Sequence, residues 1–218
     1  MSLFIGVTSF LLIRHGETDW NKEGRLQGQS NEAQLTQQGE DQAQHAANIL
    51  FNSLKDKQIE IWTSGLARTD KTASIIAKTL NYPENAIQSD ARLKEANHGQ
   101  LEGKTAAEYE IDPSYQRWEN LTSKEQFFNA MDGAQGESYN KVASRAKAAL
   151  MEIEKLNPQT IKIIVTHGGV INALRKEVTG TYEFPNIKNG EVIVLQKNEN
   201  EFTLTTFENF IAESQTDS

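Results

Sequence analysis

Two of the four histidines in this sequence follow a short apolar run and precede a glycine. His15 comes after Phe10–Ile13, with Arg14 between, and His167 comes after residues 161–166. Apolar runs of this length predict buried strands. Ligands bind at the carboxyl ends of strands in open α/β sheets. The sequence therefore predicts one site, built from two histidines at the ends of two neighbouring strands.

The arginines near these histidines reduce the number of roles that the histidines could have. A histidine so placed could be a core residue, a metal ligand, a general base or a nucleophile. Arg14 adjoins His15, and Arg68 falls in the first turn of a helix predicted after the strand at 59–62. Arginines beside a metal would oppose its charge, and the chain lacks the G-x-S-x-G motif of serine hydrolases. Two guanidinium groups with two imidazoles are typical of a pocket for a dianion such as phosphate.

The composition of the 218 residues excludes several classes of function. A net charge of -8, from 22 basic and 30 acidic residues, argues against nucleic-acid or membrane-surface partners. Because there is no cysteine, disulfides and thiolate zinc sites are excluded. No apolar run reaches the ~20 residues of a membrane span. We expect one acidic, cytoplasmic domain over residues 1–218.

Apolar spacing and turn residues predict the elements around the site. A helix begins after the N-cap Thr36, and a hairpin is predicted from 191–195 and 202–205. Residues 86–90 are predicted to form an edge strand. Residues 104–135 mix aromatic and polar side chains, which favours an irregular or helical excursion that covers the site as a lid. The polar stretch 212–218 is predicted to be a disordered tail.

A series of short motifs resembles the histidine phosphatase superfamily, the phosphoglycerate-mutase-like proteins. The motifs are Arg14-His15-Gly16-Glu17-Thr18 with Asn21, Arg25-Leu26-Gln27-Gly28, Leu35-Thr36-Gln37-Gln38-Gly39, Thr63-Ser64-Gly65-Leu66-Ala67-Arg68, Glu95 with Gly99 and Glu102-Gly103, Gly136-Glu137-Ser138, and Thr166-His167-Gly168-Gly169. They occur in the family's order over most of the chain. The resemblance implies a three-layer α/β/α sandwich with a mostly parallel sheet.

The resemblance also implies roles for individual residues. His15 would be the nucleophile that forms a phosphohistidine, with Arg14, Arg68 and His167 around the phosphoryl oxygens. The substrate-binding positions would be Arg14, Asn21, Gln27, Gly28, Arg68, His98 and Gly168. His98 could line the pocket or lie on the surface.

Two carboxyl groups are candidates for the general acid that protonates the leaving oxygen. The resemblance assigns this role to Glu95, although a loop carboxylate can also be merely solvated. Glu17 is the rival because it is closer to His15 in the sequence. We expect Glu17 to orient its surroundings instead.

Departures from the mutase pattern favour the phosphatase branch. Ala106 stands where cofactor-dependent mutases have a substrate-binding lysine, and residues 104–135 lack their adjacent arginine pair. The Arg25–Gln29 stretch is similar to broad-specificity and α-ribazole phosphatases. The resemblance thus implies a metal-independent phosphatase of a small phosphorylated metabolite, without a cofactor. The alternatives are a cofactor-dependent phosphoglycerate mutase and a non-catalytic phosphoester-binding module.

Overall fold

A six-stranded sheet forms the centre of the structure. The computed structural model describes residues 7–55, 57–131, 135–198 and 201–216, with side chains as far as Ala212 in the last range. The strands are β1 Thr8–Arg14, β2 Ile59–Thr63, β3 Gln88–Ser89, β4 Ile161–Thr166, β5 Val192–Lys197 and β6 Phe202–Thr205. In the order β3-β2-β4-β1-β5-β6, the first four pair in parallel, whereas β5 and β6 pair antiparallel. This confirms the mostly parallel sheet.

Strands β1 and β4 are adjacent at the centre of the sheet, and their register brings the two histidines to one edge. Arg14 pairs with Thr166, and the N–H of His15 donates to the carbonyl oxygen of Thr166 at 3.0 Å. Both strands are covered on both faces, which explains why they are almost continuous apolar runs.

Helices cover both faces of the sheet. Those in the described residues are α1 Asp19–Lys22, α2 Gln37–Ser53, α3 Ala67–Thr79, α4 Ala106–Tyr109, α5 Pro113–Glu119, α6 Ser123–Phe128, α7 Tyr139–Leu156, α8 Gly168–Thr179 and α9 Phe207–Thr216. Alternate side chains of β1 enter two cores. Phe10 and Leu12 pack with α7 and α8, whereas Leu11 and Ile13 pack with α2, α3 and α9. The result is the three-layer sandwich.

Most predicted local elements are present, with different boundaries. The hydroxyl of Thr36 caps α2 by accepting the N–H of Gly39 at 3.0 Å. The hairpin is present as β5 and β6, although its turn residues 199–200 lie outside the described part. The edge strand is shorter than predicted.

The excursion at 104–131 is helical, and 132–134 are not among the described residues. The predicted disordered tail is replaced by α9 as far as Thr216, while 217–218 lie outside the description. Among the described helices, none is long and apolar enough to cross a membrane.

Candidate active site

A cavity of about 250 Å³ opens where β1 and β4 end. Its wall contains Arg14, His15, Asn21, Arg25, Leu26, Gln27, Gly28, Arg68, Glu95, His98, Tyr139, Gly168, Gly169, Asn172, Pro185, Asn186 and Ile187. A larger groove of about 880 Å³ between α2 and the β5–β6 hairpin contains none of the predicted site residues. The chemistry of the lining therefore identifies the smaller cavity as the candidate active site.

The His15 imidazole is held in one tautomer. The ring is 4% exposed, and its Nδ1 lies 2.8 Å from the carbonyl oxygen of Gly16. Since a carbonyl oxygen can only accept, Nδ1 must carry the proton, which leaves the lone pair on Nε2. Burial, followed by the positive charge of Arg68, holds the pKa of His15 well below its usual value of 6.5. At neutral pH the ring is uncharged and able to act as a nucleophile.

The main chain around His15 is fixed from two sides. A Cβ on Gly16 would lie 2.2 Å from the carbonyl oxygen of Gly39, so the close approach of the two segments requires glycine. On the other side, the amide of Asn189 donates to the carbonyl oxygen of His15 at 2.9 Å.

Backbone carbonyl oxygens hold the two site arginines. Arg68 donates to the carbonyl oxygens of Ser30 at 2.8 Å and Gly28 at 2.7 Å, and Arg14 donates to that of Ile187. Burial lowers the pKa of both, in Arg68 to about 10, so each stays charged at neutral pH. The Nε atom of each is buried without a partner. These N–H groups can donate to an anion that enters the cavity.

His167 lies behind His15 and is not part of the cavity wall. The two ring centroids are 5.3 Å apart in an edge arrangement. Its Nε2 lies 2.9 Å from the hydroxyl of Ser64, which lies 2.9 Å from that of Thr69. Because Thr69 donates to the carbonyl oxygen of Leu66 at 2.7 Å, the chain runs from His167 through Ser64 to Thr69, and Nε2 carries the proton. Nδ1 is buried without a partner, and burial holds the pKa of the ring well below 6.5.

The two candidate acids have different surroundings. Glu95 lines the cavity, and its Oε2 accepts the N–H of Gly169 at 3.0 Å. Glu17 is not part of the wall, because its Oε1 accepts the hydroxyl of Thr36 at 2.8 Å beside the start of α2. The geometry thus puts Glu95, and not Glu17, against the cavity.

The remaining predicted binding residues also reach the cavity. Asn21 lines it while its Oδ1 accepts the N–H of Thr18 at 3.2 Å. Gln27 is 9% exposed, with its Oε1 unpartnered. Gly28 has a φ of +51°, and a Cβ there would lie 2.0 Å from Oε1 of Glu102. His98 is 5% exposed and belongs to the pocket wall, not to the surface.

No signal in the sequence indicates that the loop at 185–189 belongs to the active site. Its proline and two asparagines are typical of a loop but do not indicate where that loop lies. In the structure Pro185 accepts the amide N–H of Asn172 at 3.0 Å, and 185–187 form one wall. No described residue of 104–131 lines the cavity. Instead Phe127 packs against Tyr182 and Phe184, at ring distances of 5.5 Å and 6.4 Å, and so contacts the residues just before this loop.

Comparison with known proteins establishes the class. The sequence profile of the histidine phosphatase superfamily (branch 1) matches residues 10–209, and the chain belongs to this family. The protein Metal-independent phosphoserine phosphatase of Arabidopsis thaliana is 34% identical over 196 residues, which are 87% of this chain and 76% of the relative.

Other relatives bear different names. An Escherichia coli protein named Probable phosphoglycerate mutase GpmB is 36% identical over 173 residues, covering 78% of this chain and 74% of the relative. The solved structure of Bacillus stearothermophilus YhfR superposes with a TM-score of 0.78 at 28% identity, covering 92% of this chain and 96% of that chain. Members of the family thus carry phosphatase and mutase names on one fold.

Proposed function

We propose that the protein is a metal-independent phosphatase that hydrolyses small phosphomonoesters through a phosphohistidine on His15. The observation that carries this proposal is the buried, uncharged imidazole of His15, with its lone pair on Nε2, in a cavity that also contains Arg14 and Arg68. The carbonyl oxygens that hold these arginines accept hydrogen bonds from the guanidinium groups but, being uncharged, leave the positive charge of the arginines in place. The guanidinium groups can therefore neutralise a phosphate dianion in place of a metal.

The reaction has two steps. In the first, Nε2 of His15 attacks phosphorus, the bond to the leaving oxygen breaks, and Glu95 gives that oxygen its proton. In the second, a water molecule gives a proton to the Glu95 carboxylate and attacks phosphorus. The P–N bond breaks and inorganic phosphate leaves. In this scheme Glu95 is the proton donor in the first step and the proton acceptor in the second.

The cavity supports a small substrate. Its volume of about 250 Å³ accommodates a phosphoryl group and a few further heavy atoms. Phosphoserine is the first compound to test, because the Arabidopsis thaliana relative is named for it. Proposed partners are small phosphorylated metabolites.

A mutase is the second candidate, because the Escherichia coli relative carries that name. A mutase returns the phosphoryl group to a second hydroxyl instead of water. Against it, Ala106 replaces the lysine of the mutase pattern, and no basic group of 104–131 lines the cavity. Release of inorganic phosphate from 3-phosphoglycerate supports the phosphatase, whereas formation of 2-phosphoglycerate supports the mutase.

Trapping the phosphoenzyme tests the nucleophile. Enzyme quenched during turnover should carry a phosphoryl group that is stable in base and lost in acid, as in a phosphoramidate, and His15→Ala should carry none. Label that survives acid and is lost in base would overturn the assignment.

Removing metal ions tests the proposal that catalysis does not need a metal. Activity should persist in EDTA and be inhibited by vanadate, since the arginines supply the positive charge. Loss of activity in EDTA that is restored by a divalent cation would show that the histidines are ligands.

A further inference from the structure

Arg145 lies on α7, outside the cavity wall, and its guanidinium makes four hydrogen bonds. Nε and Nη2 donate to the two carboxylate oxygens of Glu137 at 2.7 Å and 2.8 Å. Nη1 donates to the carbonyl oxygen of Arg92 at 2.6 Å, and Nη2 also donates to that of Glu95 at 2.9 Å. One planar group thus joins α7 to the main chain of the residue proposed as general acid.

Glu137 extends this contact past Glu95. Its backbone N–H donates to the carbonyl oxygen of Asn97 at 2.7 Å, and its Oε2 accepts the N–H of Asn97 at 3.3 Å. The segment that carries Glu95 is therefore held at residues 92, 95 and 97. Arg145 and Glu137 are 19% and 17% exposed in their side chains, so water competes little for these contacts.

The segment around Glu95 has little regular structure of its own. It lies between short helical turns at Ala91–Leu93 and Gly99–Leu101 and belongs to no strand. The carboxyl group contacts the N–H of Gly169 at 3.0 Å and that of the adjacent Ala96 at 2.9 Å. Proton transfer requires an acid within hydrogen-bonding distance of the leaving oxygen, and a displacement of 1 Å can cost ~10²-fold in rate.

We propose that Arg145 is a positioning residue that fixes Glu95 at the distance from which it protonates the leaving group. The inference rests on the proposed function, because it assumes that Glu95 is the acid. The bonds to the carbonyl oxygens of Arg92 and Glu95 tie the ion pair to the main chain of the acid itself, which Gln29 contacts from the other side at 3.0 Å. Lysine cannot reproduce the contact, since only guanidinium donates to a carboxylate and two carbonyl groups from one plane.

The experiment compares two leaving groups. An alkyl phosphate needs a proton on its departing oxygen, whereas p-nitrophenyl phosphate hardly does. Arg145→Met should lower kcat/KM for the alkyl ester about 10- to 100-fold and for the nitrophenyl ester less than about threefold. Arg145→Lys should fall between wild type and Arg145→Met. Lys147→Met, which removes a charge from an exposed position of the same helix, is the control and should leave both values unchanged.

A double mutant separates positioning from stability. In a Glu95→Gln background, Arg145→Met should add little further loss on the alkyl ester, since the acid that it positions is gone. Equal losses on both esters, or a full additional loss in the Glu95→Gln background, would overturn the proposal. If Arg145→Met does not fold, Arg145→Lys and Glu137→Gln test the proposal in its place. The measurement is again the loss in kcat/KM on the alkyl ester relative to the loss on the nitrophenyl ester.

The single variant Glu95→Gln distinguishes a failure of the proposed function from a failure of the positioning role. If it lacks the selective loss on the alkyl ester, the acid in the proposed function is wrong, and this inference falls with it. If Glu95→Gln shows the selective loss and the Arg145 variants do not, only the positioning role is overturned.

Discussion

The carboxyl groups of Glu95 and Glu17 lead to different expectations on mutation. Glu95 faces the cavity, where a leaving oxygen would lie, whereas Glu17 is bonded to Thr36 outside it. General-acid catalysis is typically worth ~10²–10⁴-fold. Glu95→Gln should lose about that much in kcat/KM on an alkyl phosphate and far less on p-nitrophenyl phosphate. Glu17→Gln should lower both by similar factors, because it disturbs only the contact with Thr36 at the start of α2.

Measuring kcat/KM for both variants on both esters at one pH checks these expectations. A selective loss in Glu17→Gln, combined with a uniform loss in Glu95→Gln, would mean that the two roles are exchanged. For each variant, kcat/KM on the alkyl ester is divided by kcat/KM on the nitrophenyl ester. Because both values come from one preparation, this ratio does not depend on how much active enzyme the preparation contains.

The residues predicted from the sequence are those that stand in local motifs. His15, Arg14 and Arg68 each adjoin a strand end or a helix start, so periodicity places them without a structure. Asn189 could not be found this way, because it contacts His15 from 174 residues away along the chain. Local spacing carries no information about which distant loop returns to a site.

At the start of α8, residues 167–169 include both a site histidine and the N–H group that binds Glu95. His167 is the N-cap residue, and the N–H of Gly169 is one of the unpaired donors of the first turn, which binds Glu95. A Cβ on Gly169 would lie 2.2 Å from Oε1 of Glu95 and 2.9 Å from Tyr139. The atoms nearest to a Cβ on Gly168 would be those of Arg14, at an ordinary 3.6 Å. Neither glycine has a positive φ, so backbone strain does not enter.

Gly169→Ala should therefore displace the Glu95 carboxyl group and lose activity mainly on alkyl phosphates. Gly168→Ala should have a smaller effect, similar on both esters, since Arg14 would bind the phosphoryl group of each. Steady-state kinetics on the two esters measure this. If Gly169→Ala keeps full activity on the alkyl ester, the contact between α8 and Glu95 is unimportant for the acid.

The helices of the excursion show what sequence periodicity misses. Helices α4 and α6 have four and six residues, too few for a 3.6-residue pattern to emerge. Their capping boxes are nevertheless present in the sequence, as Thr105 with Glu108 and Thr122 with Glu125. Cap motifs would have predicted these helices where hydrophobic spacing could not.

The charge of the whole molecule is opposite in sign to that of its site. The net charge is -8, yet the cavity wall contains three arginines, Arg14, Arg25 and Arg68, and one carboxyl residue, Glu95. Composition alone argues against a broad basic surface but gives no sign of a small basic pocket. Only the motifs around the strand ends indicate it, because a few buried charges hardly change a total over 218 residues.

Stability should fall as the pH is lowered, because three histidines are buried without charge. Burial lowers the pKa of His15, His98 and His167 below 6.5, while in the unfolded chain each regains about that value. Below pH ~6.5 the unfolded chain therefore binds more protons than the native protein, so the free energy of unfolding decreases as pH falls. With three groups the slope is at most about 4 kcal/mol per pH unit.

Urea unfolding between pH 7.5 and 5.5 measures this slope, in a range where ordinary carboxyl groups stay ionised in both states. His98→Asn is the matched variant, since it removes one of the three groups and leaves His15 in place. It should lower the slope by at most one proton, or ~1.4 kcal/mol per pH unit. A free energy of unfolding that stays constant from pH 7.5 to 5.5 would mean that these imidazoles bind protons equally in the native and the unfolded protein, so that burial does not lower their pKa values. In that case His15 would titrate like an ordinary imidazole, and the buried, uncharged ring on which the proposed function rests would be wrong.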